Sequence, residues 1–331
     1  MKGRWWRPLL LLAGAAFVLW LVWDLGATSV WEAFHTLGWR LAVLVLVPFS
    51  LAVVLDSLGW RILLAGPRVP FSVLVGARLA GEAVNLATPM ASVGGEPLKA
   101  YLVREHVPLD EGLASVIVDK TTVVIGQALF LAGGILIALA VKPPRALLYA
   151  MTGLLAAEIV GVGGFALAQV AGMLGGGGGW LLDRLGLGGM ERHRQMLTRI
   201  DHGLGRQYRE RPAEIAGSAT LHALAWAVGG LEIYVILRLL GQPVTLGTAL
   251  ALEAFGTAVK FATFMIPGSL GALEGGNAAI FAAFGLGGAL GLVATLVRRL
   301  REATWVLIGM AALAAFKARP AARASSERRS S

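Results

Sequence analysis

Apolar residues occur along this chain in long runs that short polar segments separate. The five longest runs lie at about residues 8–23, 41–64, 121–141, 146–174 and 213–237. Three further runs lie at 246–266, 275–286 and 290–316, the last interrupted by the charged sequence RRLRE. Because a helix of roughly 20 apolar residues crosses a bilayer, the pattern predicts an all-α, polytopic helical membrane bundle with about six to eight spans.

The basic residues of the polar segments indicate which side of the membrane each segment occupies. Lys2, Arg4 and Arg7 precede the first run and predict a cytoplasmic N-terminus. The segment at 24–39 contains no Lys or Arg, and we expect it to be an outside turn. The second run then returns the chain to the cytoplasmic side.

The longest polar stretch lies at 175–212. It opens with five consecutive glycines and contains seven arginines against four acidic residues, so we expect a cytoplasmic basic loop. Within it, 190–209 is predicted to be a helix that lies on lipid headgroups. The basic, Ser- and Ala-rich end at 319–331 is predicted to be disordered. The expected organisation is one transmembrane domain, 1–318, followed by this tail.

Composition supports a membrane protein and excludes several functions. The chain is 56% apolar and 15% charged, with a mean hydropathy of +0.71, whereas soluble domains have about 25% charged residues. It has no cysteine, which excludes a disulfide, a thiolate metal site and a cysteine nucleophile. We attribute the net charge of +9 to membrane topology and anionic headgroups, and expect no nucleic-acid partner.

A charged and interrupted segment at 81–104, which we call the first broken segment, lies among these apolar runs. Ionisable side chains and non-helical backbone at membrane depth persist only where protein encloses them. Basic residues flank the segment on both sides, so we predict a re-entrant hairpin that opens to the cytoplasm. The polar residues could instead form structural hydrogen bonds or a surface ion pair. Its candidate substrate-binding residues are Glu82, Asn85, Pro89, Gly94, Gly95, Glu96 and Lys99.

A second copy of this pattern occurs later in the chain. The sequence GEAVNLAT at 81–88 matches GTAVKFAT at 256–263 in five of eight positions, and each copy then reaches a proline followed by a glutamate seven residues on. By our count the chain crosses the membrane an even number of times before the first copy and an odd number before the second. The copies therefore enter from opposite faces, as in transporters built from inverted repeats. We predict that Pro89 and Pro267 mark the tips of two broken elements that meet inside the bundle.

The second broken segment, at 256–277, has its own charged residues. Lys260 lies in an apolar run and requires an anionic partner, for which Glu253, Glu82 or a lipid phosphate would serve. The helix that starts after Gly271 could bind an anion with its free N–H groups, or Glu274 could cap it. Arg298 and Glu302 are spaced to pair on one helix. The candidate substrate-binding residues here are Lys260, Pro267, Gly271, Glu274, Asn277 and Arg299.

The sequence offers little support for catalysis. It contains no GxSxG, HExxH, phosphate-binding GxxxxGK[ST] or Asp-rich diphosphate motif, and its five histidines do not cluster. We therefore expect no enzyme activity, no catalytic residues, no metal and no cofactor.

The two broken segments resemble a known family. The pattern Glu82-Ala-Val-Asn85-(x3)-Pro89-(x4)-Gly94-Gly95-Glu96-(x2)-Lys99, with Pro267-Gly-Ser-Leu-Gly271-(x2)-Glu274-Gly-Gly276 and Arg299-(x2)-Glu302, is similar to the lysylphosphatidylglycerol-synthase transmembrane, or flippase-like, family. The form EAVN…P…VGGE looks most like the branch associated with hopanoid biosynthesis. Thr88-Pro89-Met90 and Ser269 depart from that branch.

The resemblance implies movement or handling of a lipid and no chemistry on it. The leading hypothesis is a flippase-like transporter of a hopanoid, isoprenoid or phospholipid, in which the acidic residues meet cationic or hydroxyl groups and the basic residues meet phosphate. The alternatives are a membrane-embedded lipid-modifying transferase and a scaffold subunit of a lipid biosynthesis complex. The expected partners are membrane lipids, with lipid biosynthesis enzymes as further candidates.

Overall fold

The computed structural model describes residues 6–25, 27–64, 69–87, 94–173, 191–263 and 265–330, and within these ranges the chain is helical with no strand. A short 3-10 turn, Pro267–Ser269, precedes the eleventh helix. The helices are α1 (Trp6–Asp24), α2 (Ala27–Leu37), α3 (Arg40–Leu63), α4 (Phe71–Ala87), α5 (Glu96–Leu102), α6 (Leu109–Val141), α7 (Arg145–Val170), α8 (Glu191–Glu210), α9 (Pro212–Leu239), α10 (Leu246–Ala262), α11 (Ala272–Ala283) and α12 (Gly288–Ser330).

The described helices confirm a polytopic helical membrane protein. Four of them, α3, α6, α7 and α9, are long and apolar enough to cross a membrane, and α1 with α2 gives a fifth if this pair, bent by 89°, is one span. This number is below the six to eight spans that we predicted. Two of the further apolar runs lie in α10 and α11, which have 17 and 12 residues, short of the roughly 20 that cross a bilayer. The third lies in α12, where charged residues interrupt it. The charged residues at 298–302 lie within one continuous helix, α12.

The segment predicted to be an outside turn contains a helix, α2. Its residues Phe34 and Leu37 are three apart and pack into a small core with Leu44, Ile236 and Val297. This apolar spacing, within an otherwise polar stretch, is the signal for a helix that our interpretation of the segment missed.

The helix predicted at 190–209 corresponds to α8. Its buried residues Ile200 and Leu204 pack against Leu63, Ala114 and Val118 of α3 and α6. The apolar face that we expected to lie on lipid headgroups therefore packs on protein. The Gln207 amide donates a hydrogen bond to the Leu63 carbonyl oxygen over 2.7 Å and fixes the end of α8 to the end of α3.

A half-buried tyrosine links α8 to two other helices. The Tyr208 hydroxyl donates to Gln169 Oε1 over 3.3 Å, and the Gln169 amide donates to Thr121 Oγ1 over 3.0 Å. Burial raises the pKa of Tyr208 above its usual value. The phenol is thus neutral at physiological pH and able to act as the donor.

The backbone of α12 continues as a helix through 319–330, where we predict a disordered tail. This stretch, RPAARASSERRS, is rich in Ala and Arg, which have high helix propensity.

The chain divides into two compact units, each assembled from three separate stretches. One unit, which we call the α4–α5 unit, contains 57–121, 165–218 and 303–331. The other, the α10–α11 unit, contains 1–56, 122–164 and 219–302. Each unit has an apolar core of its own, around Trp60 and Leu74 in the first and around Phe255 and Phe281 in the second. Each unit therefore contains one of the two broken segments.

Candidate functional site

The first broken segment forms a tight hairpin of α4 and α5. A Cβ atom at Gly95 would overlap the carbonyl oxygen of Gly81, and a Cβ atom at Gly81 would lie 2.5 Å from Lys99 Cγ. Only glycine allows the two helices to come this close. Gly94 belongs to the turn that leads into α5, whereas Pro89 lies outside the described residues.

Asn85 connects the two sides of the hairpin. Its Oδ1 accepts a hydrogen bond from the Gly95 N–H over 2.7 Å, and its Nδ2 donates to Glu96 Oε1 over 3.0 Å. Asn85 is buried and both ends of its amide form hydrogen bonds. It therefore stabilises the hairpin, which agrees with the alternative that these polar residues form structural hydrogen bonds.

Lys99 lies at the centre of the charged groups of this hairpin. Its Nζ is 2.8 Å from Glu82 Oε1 and 3.0 Å from Glu96 Oε2, and its side chain is 2% exposed. Glu96 also pairs with Lys120 of α6, at 3.3 Å. The alternative that Glu96 and Lys99 form a surface ion pair is wrong, since Lys99 is buried.

A further ion pair on the same helices completes what we call the first charge cluster. Arg78 of α4 and Asp119 of α6 are both buried and lie 3.3 Å apart. The cluster balances three basic against three acidic side chains, as buried charges require. Its members are Arg78, Glu82, Glu96, Lys99, Asp119 and Lys120.

The second broken segment forms an equivalent hairpin of α10 and α11. Helices α4 and α10 both have 17 residues and begin ten residues before the repeated glycine, Gly81 or Gly256. A Cβ atom at Gly256 would lie 2.7 Å from Asn277 Oδ1, which lies across the hairpin on α11. The sequence repeat is thus also a repeat of local structure, with a glycine at the point of close approach in both copies.

The break between α10 and α11 requires glycine and ends in a capped helix. Gly268 and Gly271 have φ angles of +61° and +82°, a region that residues with a Cβ rarely occupy. The Gly271 N–H donates to Glu274 Oε2 over 2.7 Å. Glu274 therefore caps α11, which confirms the alternative that we left open for it.

Glu274 and Glu302 form ion pairs with the basic residues near this break. Arg299 Nε donates to Glu274 Oε1 over 2.7 Å and its Nη1 to Glu302 Oε2 over 3.1 Å. Lys260 Nζ lies 3.0 Å from Glu302 Oε1. Lys260 therefore pairs with Glu302, and not with Glu253 or Glu82, which were the protein partners that we considered for it.

Four more charged side chains extend this group. Arg298 pairs with Glu253 and, at 3.5 Å, with Glu232, which also pairs with Arg301. The predicted Arg298–Glu302 pair is wrong, because Arg298 lies towards Glu232 and Glu253. The resulting second charge cluster balances four basic against four acidic side chains. Its members are Glu232, Glu253, Lys260, Glu274, Arg298, Arg299, Arg301 and Glu302.

The two clusters share one arrangement beyond their glycines. In each, the glutamate seven residues after the repeat's proline pairs with a basic residue of the next long helix: Glu96 with Lys120 of α6, and Glu274 with Arg299 of α12. Asn277 departs from the pattern, because its amide donates to Thr295 Oγ1 over 2.8 Å. The predicted meeting of Pro89 with Pro267 stays a prediction.

Sequence reasoning missed several members of the clusters. Arg78 and Lys120 were not among the candidates, although Arg78 lies one helical turn before Glu82. Glu232 and Asp119 were not among the candidates either, because their partners lie 69 and 41 residues away. A charge on an apolar helix signals that a partner exists, but the partner's position depends on tertiary structure.

The described residues contain no group of three or more His, Asp or Glu side chains arranged to hold a metal ion. The charged side chains pair with one another, and this geometry suits binding of a charged headgroup in exchange for an internal partner.

Comparison with known families identifies the family of the chain. The family model described as the lysylphosphatidylglycerol synthase TM region matches residues 6–316. The chain belongs to that family. No curated protein and no solved structure gives a match. Both charge clusters of this family member lie within the matched region, and the hopanoid-associated branch stays a prediction.

Proposed function

We propose that this protein moves or handles an amphiphilic lipid across the bacterial cytoplasmic membrane without modifying it chemically, and that the headgroup binds at the charge clusters. The observation that carries the proposal is the exposure of a few cluster members. Glu82, Lys120 and Lys260 have side chains 38%, 40% and 46% exposed, whereas Lys99 is 2% exposed. Each of the three pairs with a residue that has a second partner.

Lys260 is suited to bind a phosphate. Its partner Glu302 also pairs with Arg299. If Lys260 turns towards a lipid phosphate, Glu302 keeps an ion pair and no buried charge is left alone. Partly exposed ion pairs contribute only about 0–1 kcal/mol, so the exchange has a low cost.

Glu82 is suited to bind the cationic or hydroxyl part of a headgroup. Its partner Lys99 also pairs with Glu96, so Glu82 can leave Lys99 without isolating it. By contrast, breaking a fully buried pair costs about 3–5 kcal/mol. The remaining contacts of Lys99, Asn85 and Glu274 are therefore expected to persist while a lipid binds.

Reconstitution into liposomes tests this proposal. Headgroup- or chain-labelled phospholipids, an isoprenoid phosphate and a hopanoid are placed in one leaflet, and their appearance in the other is measured. We expect the protein to accelerate the movement of at least one class. Lys260→Met and Glu82→Gln should reduce that movement, because each removes an exchangeable charge.

The matched controls are Arg40→Gln and Glu32→Gln, which remove exposed charges outside both clusters. They should move lipid at the wild-type rate. If no lipid class moves faster than in protein-free liposomes, the proposal is wrong. A chemically changed lipid would instead indicate a transferase, and movement that survives both cluster substitutions would contradict the assigned site.

A further inference from the structure

One carboxyl group in a candidate membrane span has no partner among the residues that the structure describes. Glu158 is near the middle of α7, a candidate membrane span, and is 1% exposed. Within the described part of the chain, neither of its carboxylate oxygens has a hydrogen-bond partner. Among the described residues it forms no ion pair either, unlike the acidic members of both charge clusters.

The surroundings of Glu158 are apolar. Met151, Leu154 and Leu155 precede it by seven, four and three residues, which places them on the same helix face. That face packs into the core of the α10–α11 unit, beside Leu131 of α6 and Ile233 of α9. A carboxylate in such surroundings loses its hydration and gains nothing in return, so the neutral acid is the favoured form.

The other titratable groups on the helices of this core do not compensate for Glu158. On α7 itself Arg145 and Tyr149 are exposed, and on α9 Arg238 is exposed and Tyr234 is half-buried. The internal charged groups have partners of their own: His222 with Asp56, Glu232 with Arg301, Glu253 with Arg298, Lys260 with Glu302, and Glu274 with Arg299.

We propose that Glu158 is a proton-binding site and that its proton exchange is coupled to lipid movement; the coupling rests on the proposed function. A hydronium ion gives its proton to a carboxylate oxygen, an O–H bond forms and water leaves. When the group next reaches water, that bond breaks and the proton returns to a water molecule. The ligand is a proton, and the energy source is the proton gradient.

The part of α7 that follows Glu158 contains three glycines at which the helix can bend. Gly161, Gly163 and Gly164 follow within six residues, and open space lies beside each of them. Each glycine lowers the stability of a helix relative to alanine. Bending at this point gives a means by which Glu158 reaches water without unfolding its helix.

Labelling with dicyclohexylcarbodiimide, an apolar reagent that reacts with protonated carboxyl groups, tests the site independently of lipid movement. The acid transfers its proton to a carbodiimide nitrogen, and its oxygen adds to the carbodiimide carbon. Full-length protein in liposomes is labelled at acidic and alkaline pH, and the modified peptides are identified by mass spectrometry. We expect several-fold more label on Glu158 than on Glu253, which is equally buried but ion-paired, and less label at alkaline pH.

An infrared difference spectrum of wild type against Glu158→Gln provides the second measurement. It should show the carbonyl band of a protonated carboxylic acid in the wild type. If the band is absent and Glu158 is labelled no more than Glu253, the proton-binding site is wrong.

The coupling has its own test. A pH gradient imposed on the liposomes should change the rate of lipid movement in the wild type, and the ratio of rates with and without the gradient should become one in Glu158→Gln. The same gradient response in the variant would overturn the coupling. If no lipid moves in any protein while Glu158 is labelled, the proposed function and the coupling fail and the proton site stands.

Discussion

Exposure separates the charged residues into those that hold the structure and those that are able to meet a ligand. Lys99, Glu274 and Asn85 are buried with their polar atoms used. Glu82, Lys120 and Lys260 reach the surface. A carboxylate or ammonium group in the first set should therefore affect stability, and one in the second set should affect function.

Two lysine substitutions of the same kind distinguish these roles. Lys99→Met removes a cation that is 2% exposed and that pairs with both Glu82 and the buried end of Glu96. We therefore expect a loss of about 3–5 kcal/mol in the free energy of unfolding. Lys260→Met removes a half-exposed charge, and Glu302 keeps Arg299, so we expect a loss below about 1 kcal/mol.

Denaturant unfolding of both variants in detergent micelles provides the comparison. A Lys99→Met protein as stable as Lys260→Met would show that the buried lysine is not required to hold the hairpin.

At the scale of elements, the two hairpins are built by the same rules. In each, a 17-residue helix ends at a break, and a glycine of the first helix touches the second. The glutamate after the break pairs with the next long helix. The repeat in the sequence therefore preserves the contacts that shape the hairpin, while Asn85 and Lys260 differ at the equivalent position and take different partners.

Alanine substitutions at the repeated glycines test these contacts. Gly81→Ala places a Cβ atom against the Lys99 side chain, and Gly256→Ala places one 2.7 Å from Asn277 Oδ1. Because a crowded core has to shift to admit an added methyl group, we expect each variant to lose about 1–3 kcal/mol in stability.

Gly133→Ala is the matched control, since open space surrounds this glycine of α6. It should gain up to about 1 kcal/mol from helix propensity. Unfolding midpoints of the three variants, measured side by side, check the prediction; equal midpoints for Gly81→Ala and Gly133→Ala would contradict the close contact.

The sequence predicted the helices better than it predicted the ion-pair partners of the charged side chains. Long apolar runs located α1, α3, α6, α7 and α9, because the length of a span is a local property. The partners of Lys260 and Glu232 could not be predicted, since they lie 42 and 69 residues away on another helix. Helix α2 was missed because its apolar spacing lies within an otherwise polar stretch. The protein-facing side of α8 was misjudged because an amphipathic helix has the same pattern whether lipid or protein covers it.

At the scale of the whole molecule, each compact unit contains one broken segment and one charge cluster. Several helices, among them α6 and α7, contribute residues to both units. The residues that match the lysylphosphatidylglycerol synthase TM region family, 6–316, include parts of both units. Lipid handling is thus a property to be tested on the complete chain, with substitutions in either cluster.

The prediction that the two broken segments meet is testable because the chain has no cysteine of its own. Cysteines at Pro89 and Pro267 should form a disulfide in the oxidised protein. Mobility on non-reducing gels after proteolysis between the two sites reports the bond. A pair that stays reduced under oxidising conditions would contradict the meeting of the tips.

The central claim, that lipid headgroups bind at the charge clusters, is tested most directly by photo-crosslinking. A phospholipid with a photoactivatable headgroup is reconstituted with the protein, and labelled residues are identified by mass spectrometry. The account predicts label on or beside Lys260, Glu302, Glu82 and Lys120, with the label near Lys260 reduced in Lys260→Met and unchanged in Arg40→Gln. Label confined to exposed apolar residues such as Val47 and Val160, at wild-type level in both variants, would contradict it.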